Sequence, residues 1–302
     1  MDLKESARNG SGKPLSWGAF VVLYGPDLLT VARNVAALRE AGARVLLVDN
    51  TPFRAMSDEW CDDRLCDVIR NGNRDGVAGA FEEGFLWAER EGLEWLLVLD
   101  QSSRVDPGWL LPLLDAASSA PDSAALFCPE HVEGKAVPSA PEGIVRVRER
   151  AVAANGNLVR VAAWKAVGGF DRSLFIDRVD QDFCLKLGCA GYGVFRLMGA
   201  KMVRPPGGAT FHRFFWRRRQ RVANLPPARW YTTTRNRIRV AGRYLFRRPE
   251  VAWSEFVHFL REYFCMLLFE DSKTAKIEAV CHALVDCVSG RGGAPSGPRR
   301  AP

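Results

Sequence analysis

Neither a secretory leader nor a membrane-spanning run is visible in this sequence of 302 residues. No basic segment near the first residue precedes an apolar stretch, which argues against export by a signal peptide. No uncharged apolar window reaches the roughly 18 residues that suggest a transmembrane helix. Residues 256–269 come nearest, and they still contain Arg261 and Glu262. These absences predict a cytoplasmic protein.

The sequence also lacks the spacing that marks a structural metal centre. Its eight cysteines form no C-x-x-C pair, so we interpret them as reduced thiols rather than as metal ligands or disulfides. Histidine is scarce, and the four residues of this type share no ligand spacing. We predict that they are structural: His131, His212, His258 and His282.

Acidic residues are almost absent from residues 201–250, which hold 14 basic side chains and one acid. That stretch has a net charge of +13 against +7 for the whole chain, so the remainder carries −6 (7 − 13). The partner should be polyanionic: a diphosphate, an anionic membrane or a nucleic acid. Residues 211–221 (FHRFFWRRRQR) interleave rings with cations, which suits lipid headgroups or stacked bases. Because no nucleic-acid-binding fold surrounds them, we favour the membrane and expect no nucleic acid.

The first part of the chain alternates short apolar runs with helical spacing. Strands are predicted at residues 17–24, 44–48, 67–70 and 94–99, and helices at 28–41 and 76–91. This alternation predicts an α/β fold with a doubly wound, mostly parallel sheet. Ligands bind such sheets beyond the carboxyl ends of the strands. The polar residues at those ends are Asp49, Asn50, Asn71, Asn73 and Asp100.

Later segments predict a helical extension after the sheet. A strand is expected at residues 124–128, helices at 107–117 and 180–190, and a hairpin or insertion at 129–150. The breaker sequence RPPGG at 204–208 predicts a boundary, followed by helices at 231–246, 251–269 and 273–288. We therefore expect a flexible arm (1–15), a main domain (16–205), a basic, membrane-facing helical segment (206–288) and a disordered tail (289–302).

Two segments carry the most specific signals. VLDQSS (98–103) delivers Asp100 to the end of a strand. GGFDRSLFIDRVDQDFCLKLGCAGY (168–192) places Asp177, Asp180 and Asp182 where an aromatic-rich loop enters a helix. Together they resemble the nucleotide-sugar glycosyltransferases of family 2, and within it the rhamnosyltransferase-like branch. The resemblance implies a GT-A type fold whose first half binds nucleotide and whose second half binds acceptor.

The resemblance also implies a donor site along the strand ends. In the family the position of Asp49 binds the nucleotide base, and Asn71-Gly72-Asn73 with Gly76 resembles an element of asparagine and glycine near the diphosphate. From residue type alone, Asp49 is as well explained as the cap of a turn. The implied donor-binding residues are Tyr24, Asp49, Asn50, Asn71, Asn73, Gly76, Asp100, Gln101, Arg204 and Arg235.

Asp180 takes the family's catalytic-base position. An inverting transfer needs a carboxylate that removes the proton of the acceptor hydroxyl while the anomeric carbon is attacked from the opposite face. The structural alternative is that Asp180 caps the helix and Asp182 pairs with Lys186. Asp177, Asp182 and Trp230 are implied to support catalysis or to contact the acceptor.

Two departures from the family pattern concern a divalent cation, Mg²⁺ or Mn²⁺. Asp100 stands in the family's metal-binding Asp-x-Asp triplet, but the second acid is replaced by Ser102. Arg204 stands where the family usually has a metal-binding histidine. One hypothesis is that the Arg204 guanidinium takes over part of the cation's work at the diphosphate, and the other is loss of activity. Arg235, implied to contact a phosphate, is as well explained as a solvated residue on a helix face.

The activity implied by the resemblance is inverting transfer of a sugar, L-rhamnose from dTDP-rhamnose, onto a lipid-linked or polysaccharide acceptor. Such a reaction would serve cell-envelope glycan synthesis at the inner face of the membrane. Ser102 and Arg204 favour an alternative, a catalytically inactive nucleotide-sugar or glycolipid binding protein of an assembly complex. A third hypothesis is an RNA-binding protein that uses the basic stretch.

Overall fold

A computed structural model of the chain describes residues 15–52, 66–134, 143–204, 210–214 and 218–289. They fall into two compact units. The first comprises Met1–Arg172 and Val179–Pro205, and the second comprises Ser173–Arg178 and Pro206–Pro302. The predicted arm and tail lie outside the described residues, apart from Leu15 and Ser289.

The first unit is built on one eight-stranded sheet with the strand order β3-β2-β1-β4-β7-β5-β8-β6. Four of its seven pairings are parallel, and the antiparallel ones all involve β6 or β7. The strands are β1 (Trp17–Leu23), β2 (Arg44–Asp49), β3 (Asp67–Arg70), β4 (Trp95–Asp100), β5 (Ala124–Glu133), β6 (Val145–Glu149), β7 (Leu158–Arg160) and β8 (Gly193–Arg204).

Helices cover both faces of this sheet, because side chains on successive strand residues point to opposite faces. Along β1, Ala19 and Val21 pack in the same core cluster as residues of α1 and α3. Phe20 faces the other way and contacts the rings of Phe81 and Phe85 on α2. The helices of this unit are α1 (Leu28–Glu40), α2 (Gly76–Arg90), α3 (Pro107–Ser118), α4 (Val161–Ala166) and α5 (Val179–Cys189).

The predicted doubly wound α/β fold is therefore confirmed, and so is the order of its first strands and helices. Two features were not predicted. β8 is a strand of 12 residues, although its sequence GVFRLMGAKMVR lacks regular alternation. Residues 145–149 form β6, which pairs with β8 rather than folding back on β5 as a hairpin.

The second unit contains a hairpin and three helices. β9 (Thr210–Phe214) pairs antiparallel with β10 (Arg218–Val222). The helices are α6 (Pro227–Tyr244), α7 (Pro249–Phe269) and α8 (Lys273–Val288). α6 begins four residues before the predicted start because Pro227 fits the first helical turn. None of the helices in the described ranges is both long and apolar enough to span a bilayer.

Buried polar groups hold the helices of the second unit together. The carboxylate of Glu270, which is 3% exposed, accepts from Lys276 Nζ at 2.8 Å and from the indole Nε1 of Trp230 at 3.2 Å. It also accepts from the main-chain N–H of Asn224 at 3.0 Å. Breaking such a buried pair would leave a charge without compensation, so these groups restrict how α6 and α8 pack.

Candidate active site

The carboxyl ends of β1, β2 and β4 meet at one edge of the sheet. In the strand register, Asp49 lies beside Leu23 and Asp100 lies beside Val22. Asp49 and Asp100 therefore flank the end of β1 from its two sides. This is the edge at which open α/β sheets bind ligands, so the structure brings together the acids that the sequence grouped.

Asn50 and Asn71 join the ends of β2 and β3 to the start of α2. The Asn50 Nδ2 donates to the carbonyl of Gly76 at 2.9 Å, and the Asn50 Oδ1 accepts from Asn71 Nδ2 at 2.6 Å. The main-chain carbonyl of Asp49 accepts from the N–H groups of Asn71 and Gly72 at 2.8 and 3.1 Å. Both asparagine side chains are buried and support the loop, and their predicted contact with a nucleotide remains a prediction.

The loop between β3 and α2 has an unusual backbone. Gly72, Asn73, Asp75 and Gly76 all have positive φ, between 57° and 62°. Glycine adopts such angles at no steric cost, and asparagine and aspartate tolerate them better than other residues do. The loop leads directly into the amino terminus of α2, where a helix favours anionic groups. Asn73 and Gly76 thus lie next to a helix start, and their contact with a diphosphate remains a prediction.

Tyr24 and Gln101 connect the ends of β1 and β4, which are neighbours in the sheet. The Gln101 Oε1 accepts from the N–H of Tyr24 at 2.6 Å, and its Nε2 donates to the Tyr24 carbonyl at 3.1 Å. The Tyr24 side chain is 57% exposed. Asp49 is buried, and its Oδ1 accepts from the N–H of Thr51 at 2.9 Å, which is the turn-capping contact offered as the alternative for this residue.

Asp100 sits where three charged groups influence one another. Its side chain reaches solvent, but the surrounding protein desolvates the carboxylate and raises its pKa. The Arg204 guanidinium opposes this rise in pKa, and the carboxylate of Asp180 adds to it. Because β4 and β8 run in the same direction, Asp100 and Arg204 both end their strands at the same edge. Asp100, Asp180 and Arg204 thus form one electrostatic cluster.

Asp180 is half-buried and lies in the first turn of α5, which begins at Val179. It is therefore inside the helix rather than at the capping position that the structural alternative proposed. Its Oδ2 accepts from the N–H of Ala154 at 3.2 Å, and its Oδ1 accepts from the N–H of Gln181 at 2.9 Å. These bonds orient the carboxylate while part of it stays accessible.

Asp182 is fully buried, and its Oδ2 lies 3.6 Å from Lys186 Nζ. Lys186 also donates to the carbonyl of Gly169 at 2.8 Å. The pairing of Asp182 with Lys186 is the alternative predicted from their spacing. With no exposed surface, Asp182 can support the site only through its neighbours.

His131 belongs to the same edge but was not predicted to do so. It lies on β5, and its Nε2 is 2.8 Å from the carbonyl of Asn155. Desolvation and the nearby Arg204 lower its pKa to about 4. The imidazole is therefore neutral at neutral pH, and because a carbonyl can only accept, Nε2 carries the proton.

Three of the predicted residues belong to the second unit. Asp177 has a positive φ of 63°, and its Oδ2 accepts from Arg229 Nε at 3.0 Å and from Thr233 Oγ1 at 2.9 Å. Trp230 is 3% exposed and donates to the buried Glu270. Both residues make structural contacts here, and a contact with acceptor remains a prediction.

Arg235 occupies neither of the positions considered from the sequence, since both would leave its guanidinium at a surface. The side chain is fully buried, and Nη2 donates to the carbonyls of Ser173 and Leu174 at 3.2 and 3.4 Å. Asn236 donates through Nδ2 to the carbonyls of Leu174, Ile176 and Asp177. Main-chain carbonyls that are taken out of water require donors, and Arg235 and Asn236 supply them to four carbonyls of this loop.

A divalent cation does not fit the side chains at this edge. Asp100 supplies one carboxylate, Ser102 replaces the second acid, and Arg204 brings a positive charge to the position of the family's histidine. Among the described residues, no group of three or more His, Cys, Asp or Glu side chains could hold a metal ion. We therefore assign no chemical step to a cation.

Both the sequence and the fold of the chain are similar to those of known proteins. The model of the family described as Glycosyl transferase family 2 matches residues 22–175, which is about half of the chain and stops before Asp180. The dTDP-rhamnosyl transferase RfbF of Shigella flexneri is 24% identical over 192 residues, covering 58% of this chain and 64% of that protein. The chain thus spans less than two thirds of the length of that relative.

A second relative is the uncharacterized protein Rv1525 of Mycobacterium tuberculosis, 31% identical over 202 residues, covering 60% of this chain and 73% of that protein. Among solved structures, the crystal structure of GalNAc-T7 with UDP, GalNAc and Mn²⁺ matches with a TM-score of 0.55 and 17% identity. That match covers 90% of this chain and 57% of the other. At this identity the match describes the fold alone, which is the GT-A type predicted from the sequence.

Proposed function

The chain belongs to glycosyl transferase family 2, and on that basis we propose that it transfers L-rhamnose from dTDP-L-rhamnose to a hydroxyl of a lipid-linked or polysaccharide acceptor. The observation that carries the proposal is the cluster of Asp180, Asp100 and Arg204 at the ligand-binding edge of the sheet. The choice of sugar is supported by the resemblance to the dTDP-rhamnosyl transferase of Shigella flexneri. The role in cell-envelope glycan synthesis is part of the same proposal.

In the proposed reaction Asp180 is the general base. Its carboxylate takes the proton of the acceptor hydroxyl as that oxygen forms a bond to the anomeric carbon. The bond from this carbon to the diphosphate oxygen breaks on the opposite face, so the configuration inverts and dTDP leaves with the bonding electrons. The N–H groups of Ala154 and Gln181 fix the orientation of the carboxylate, which contributes to catalysis because misoriented bases lose rate.

Arg204 is proposed to stabilise the departing diphosphate. A guanidinium remains protonated at any working pH and binds phosphate oxygens through two parallel hydrogen bonds. Its electrostatic effect reaches both Asp100 and His131, which supports a position at the same edge of the sheet as these two residues. This role corresponds to the hypothesis that Arg204 takes over part of the work of a cation.

Donor binding and turnover test this proposal separately. Calorimetry with dTDP-L-rhamnose and a panel of UDP- and GDP-sugars should detect tight binding of the dTDP-sugar, and donor should raise the unfolding temperature with concentration. Asp180→Asn should keep donor affinity within about twofold while lowering transfer to a membrane-lipid extract by about 10²–10⁴-fold. Asp122→Asn, which changes an exposed carboxylate, is the matched control. Equal turnover in both variants would exclude Asp180 as the base. Donor binding with no turnover in the unmodified chain would support the inactive binding protein.

We further propose that the second unit contacts an anionic membrane through α7. Trp253, Phe256, Leu260 and Phe264 recur at helical spacing on one exposed face, opposite the buried Val251 and Met266. Scattered exposed apolar residues are ordinary, but a continuous face of rings and leucines marks a contact surface.

Exposed aromatic and basic residues also occur just before α7 in the sequence. Phe246 is 95% exposed, and the exposed Arg243 and Arg247 lie close to it in sequence. Aromatic rings and arginines occur together where a protein enters the headgroup region of anionic lipids. The side chains of residues 211–221, for which membrane contact was also predicted, lie outside what the structure describes.

Vesicle sedimentation tests this surface. The protein should bind phosphatidylcholine vesicles that contain phosphatidylglycerol more tightly than pure phosphatidylcholine, and added salt should weaken the binding. The double variant Phe256→Ser/Leu260→Ser should lose most of it, whereas Ile144→Ser/Val145→Ser, on exposed apolar residues of the first unit, should not. If the α7 variant instead abolished self-association and left vesicle binding intact, the face would be a contact between two copies of the chain.

A further inference from the structure

We infer that Asn155 is a positioning residue that holds Asp100 and Asp180 in their working arrangement. Asn155 lies in the turn of residues 154–157, between β6 and β7, and none of the sequence motifs identified it. The inference rests on the proposed role of Asp180 as the general base.

Main-chain hydrogen bonds join the turn to β4, the strand that carries Asp100. The N–H of Gly156 donates to the carbonyl of Val98 at 2.8 Å, and the N–H of Val98 donates to the carbonyl of Asn157 at 2.9 Å. Gly156 has a φ of +84°, and a Cβ at this position would lie 2.7 Å from the Met202 Sδ and 2.9 Å from the Pro129 Cγ. The turn is therefore confined by β4, β5 and β8 together.

The Asn155 side chain reaches the end of β4. Its Oδ1 accepts from the main-chain N–H of Asp100 at 3.1 Å and from the Ser103 Oγ at 2.7 Å. Asn155 is 7% exposed and Ser103 is 3% exposed, so the bond between their side chains forms away from bulk water. Losing a buried acceptor would leave the Asp100 N–H without its partner, which is costly.

The main chain of the same turn reaches the other site groups. The Asn155 carbonyl accepts from His131 Nε2 at 2.8 Å, and the neighbouring N–H of Ala154 donates to the Asp180 Oδ2 at 3.2 Å. Two consecutive residues thus contact the proposed base, the strand-end acid and a neutral histidine. A displacement of this turn would move Asp100 and Asp180 relative to each other.

The chemistry of the position explains why an amide is suitable. The carbonyl oxygen of asparagine accepts two hydrogen bonds without adding charge. An aspartate would fit the same space but would bring a third carboxylate beside Asp100 and Asp180, and like charges raise one another's pKa. An alanine would remove the acceptor and keep the turn. These two substitutions therefore separate the electrostatic consequence from the geometric one.

Titration of the aspartate carboxyls by ¹³C NMR tests the inference without any ligand. Signals are assigned from Asp100→Asn and Asp180→Asn. Asn155→Asp should raise the pKa of the Asp100 carboxyl by about 1. Ser103→Ala, the matched control, removes a different donor to the same oxygen and should leave this pKa within about 0.3. An unchanged Asp100 pKa in Asn155→Asp would overturn the placement of Asn155.

Kinetics test the consequence for the reaction. With dTDP-L-rhamnose, Asn155→Ala should lower kcat for dTDP release at least tenfold, because without its acceptor the end of β4 that carries Asp100 can move relative to Asp180. The unfolding temperature of each variant is measured alongside, and Asn155→Asp decides the question if Asn155→Ala does not fold. If Asp180→Asn leaves turnover unchanged, the proposed function fails. If Asp180→Asn abolishes turnover while both Asn155 variants behave like the unmodified chain, only the present inference fails.

Discussion

Arg204 lowers the pKa of the Asp100 carboxyl, while desolvation and Asp180 raise it, and the balance leaves that pKa above its ordinary value. The guanidinium of Arg204, which is always protonated, therefore lies close enough to the carboxylates of Asp100 and Asp180 for the three charges to influence one another. A positively charged side chain at this edge favours binding of a diphosphate, whereas a negatively charged carboxylate disfavours it. The two residues are therefore expected to act in opposite directions on donor binding, and this can be measured.

Arg204→Ala should weaken binding of dTDP-L-rhamnose by about 10–100-fold, because it removes a charge-assisted contact in a partly desolvated site. Arg204→Lys should restore part of the affinity, since an ammonium keeps the charge but not the planar fork. Arg148→Ala, on an exposed arginine of β6, is the control for net charge. Activity of the unmodified enzyme should survive EDTA, and strict dependence on Mg²⁺ or Mn²⁺ would contradict the proposed role of Arg204.

Asp100→Asn should bind dTDP-L-rhamnose as tightly as the unmodified chain or up to about tenfold more tightly, because it removes a negative charge near the diphosphate. The same physics predicts a pH effect. Protonation neutralises Asp100, so donor affinity should rise as the pH falls towards the raised pKa of this carboxyl. The dTDP-sugar is the appropriate probe, because its diphosphate has no group that titrates in this range.

Calorimetry at a series of neutral and acidic pH values checks this dependence, with Asp100→Asn as the variant whose affinity should not change with pH. If Asp100 bound a divalent metal ion at the diphosphate, both expected effects on donor affinity would be reversed. In that case Asp100→Asn would lose donor binding, and affinity would fall rather than rise on acidification.

His131 should make the fold sensitive to acid. Its pKa is lowered from 6.5 to about 4 by desolvation and by Arg204, whereas the unfolded chain titrates near the ordinary value. The unfolded state therefore binds more protons as the pH falls from about 6.5 to about 4, and stability should drop by about 3 kcal/mol over that range. Denaturant unfolding at a series of pH values measures this change.

His131→Gln is the informative variant, because its amide can still donate to the Asn155 carbonyl but does not titrate. The pH dependence between 6.5 and 4 should shrink by the amount assigned to His131. An equal slope in the variant and in the unmodified chain would mean that other groups cause the loss of stability.

The sequence predicted β1, β2 and β4 because each is a short, almost wholly apolar run, which in β2 and β4 leads to an aspartate. Such runs are typical of strands buried on both faces. The same feature brought Asp49 and Asp100 to one edge, since parallel strands end on the same side. The predictions therefore succeeded where a local pattern determines position.

His131 and Asn155 could not be placed in the same way. They meet because β7 inserts antiparallel between β4 and β5, a pairing of segments that are distant along the chain. An Asn-Gly pair such as 155–156 is typical of a turn, but it does not indicate what the turn contacts. Arg235 shows the converse, because an arginine on a helix is usually solvated, and it is buried here by carbonyls of a loop some sixty residues earlier.

Gly84 lies where α2 packs closely against the sheet, and its replacement by alanine tests how close that packing must be. A Cβ at Gly84 would lie 2.8 Å from the Phe20 Cγ, beneath the aromatic ring of a fully buried residue of β1. Gly84→Ala should therefore destabilise the fold by about 1–3 kcal/mol, since α2 would have to move away from β1.

Gly242 provides the control, because it lies on α6 with nothing within 4 Å of its missing Cβ. Gly242→Ala should stabilise by about 0.5–1 kcal/mol through helix propensity alone. Denaturant unfolding of the two variants should thus give changes of opposite sign, and a neutral Gly84→Ala would show that α2 is free to shift on the sheet.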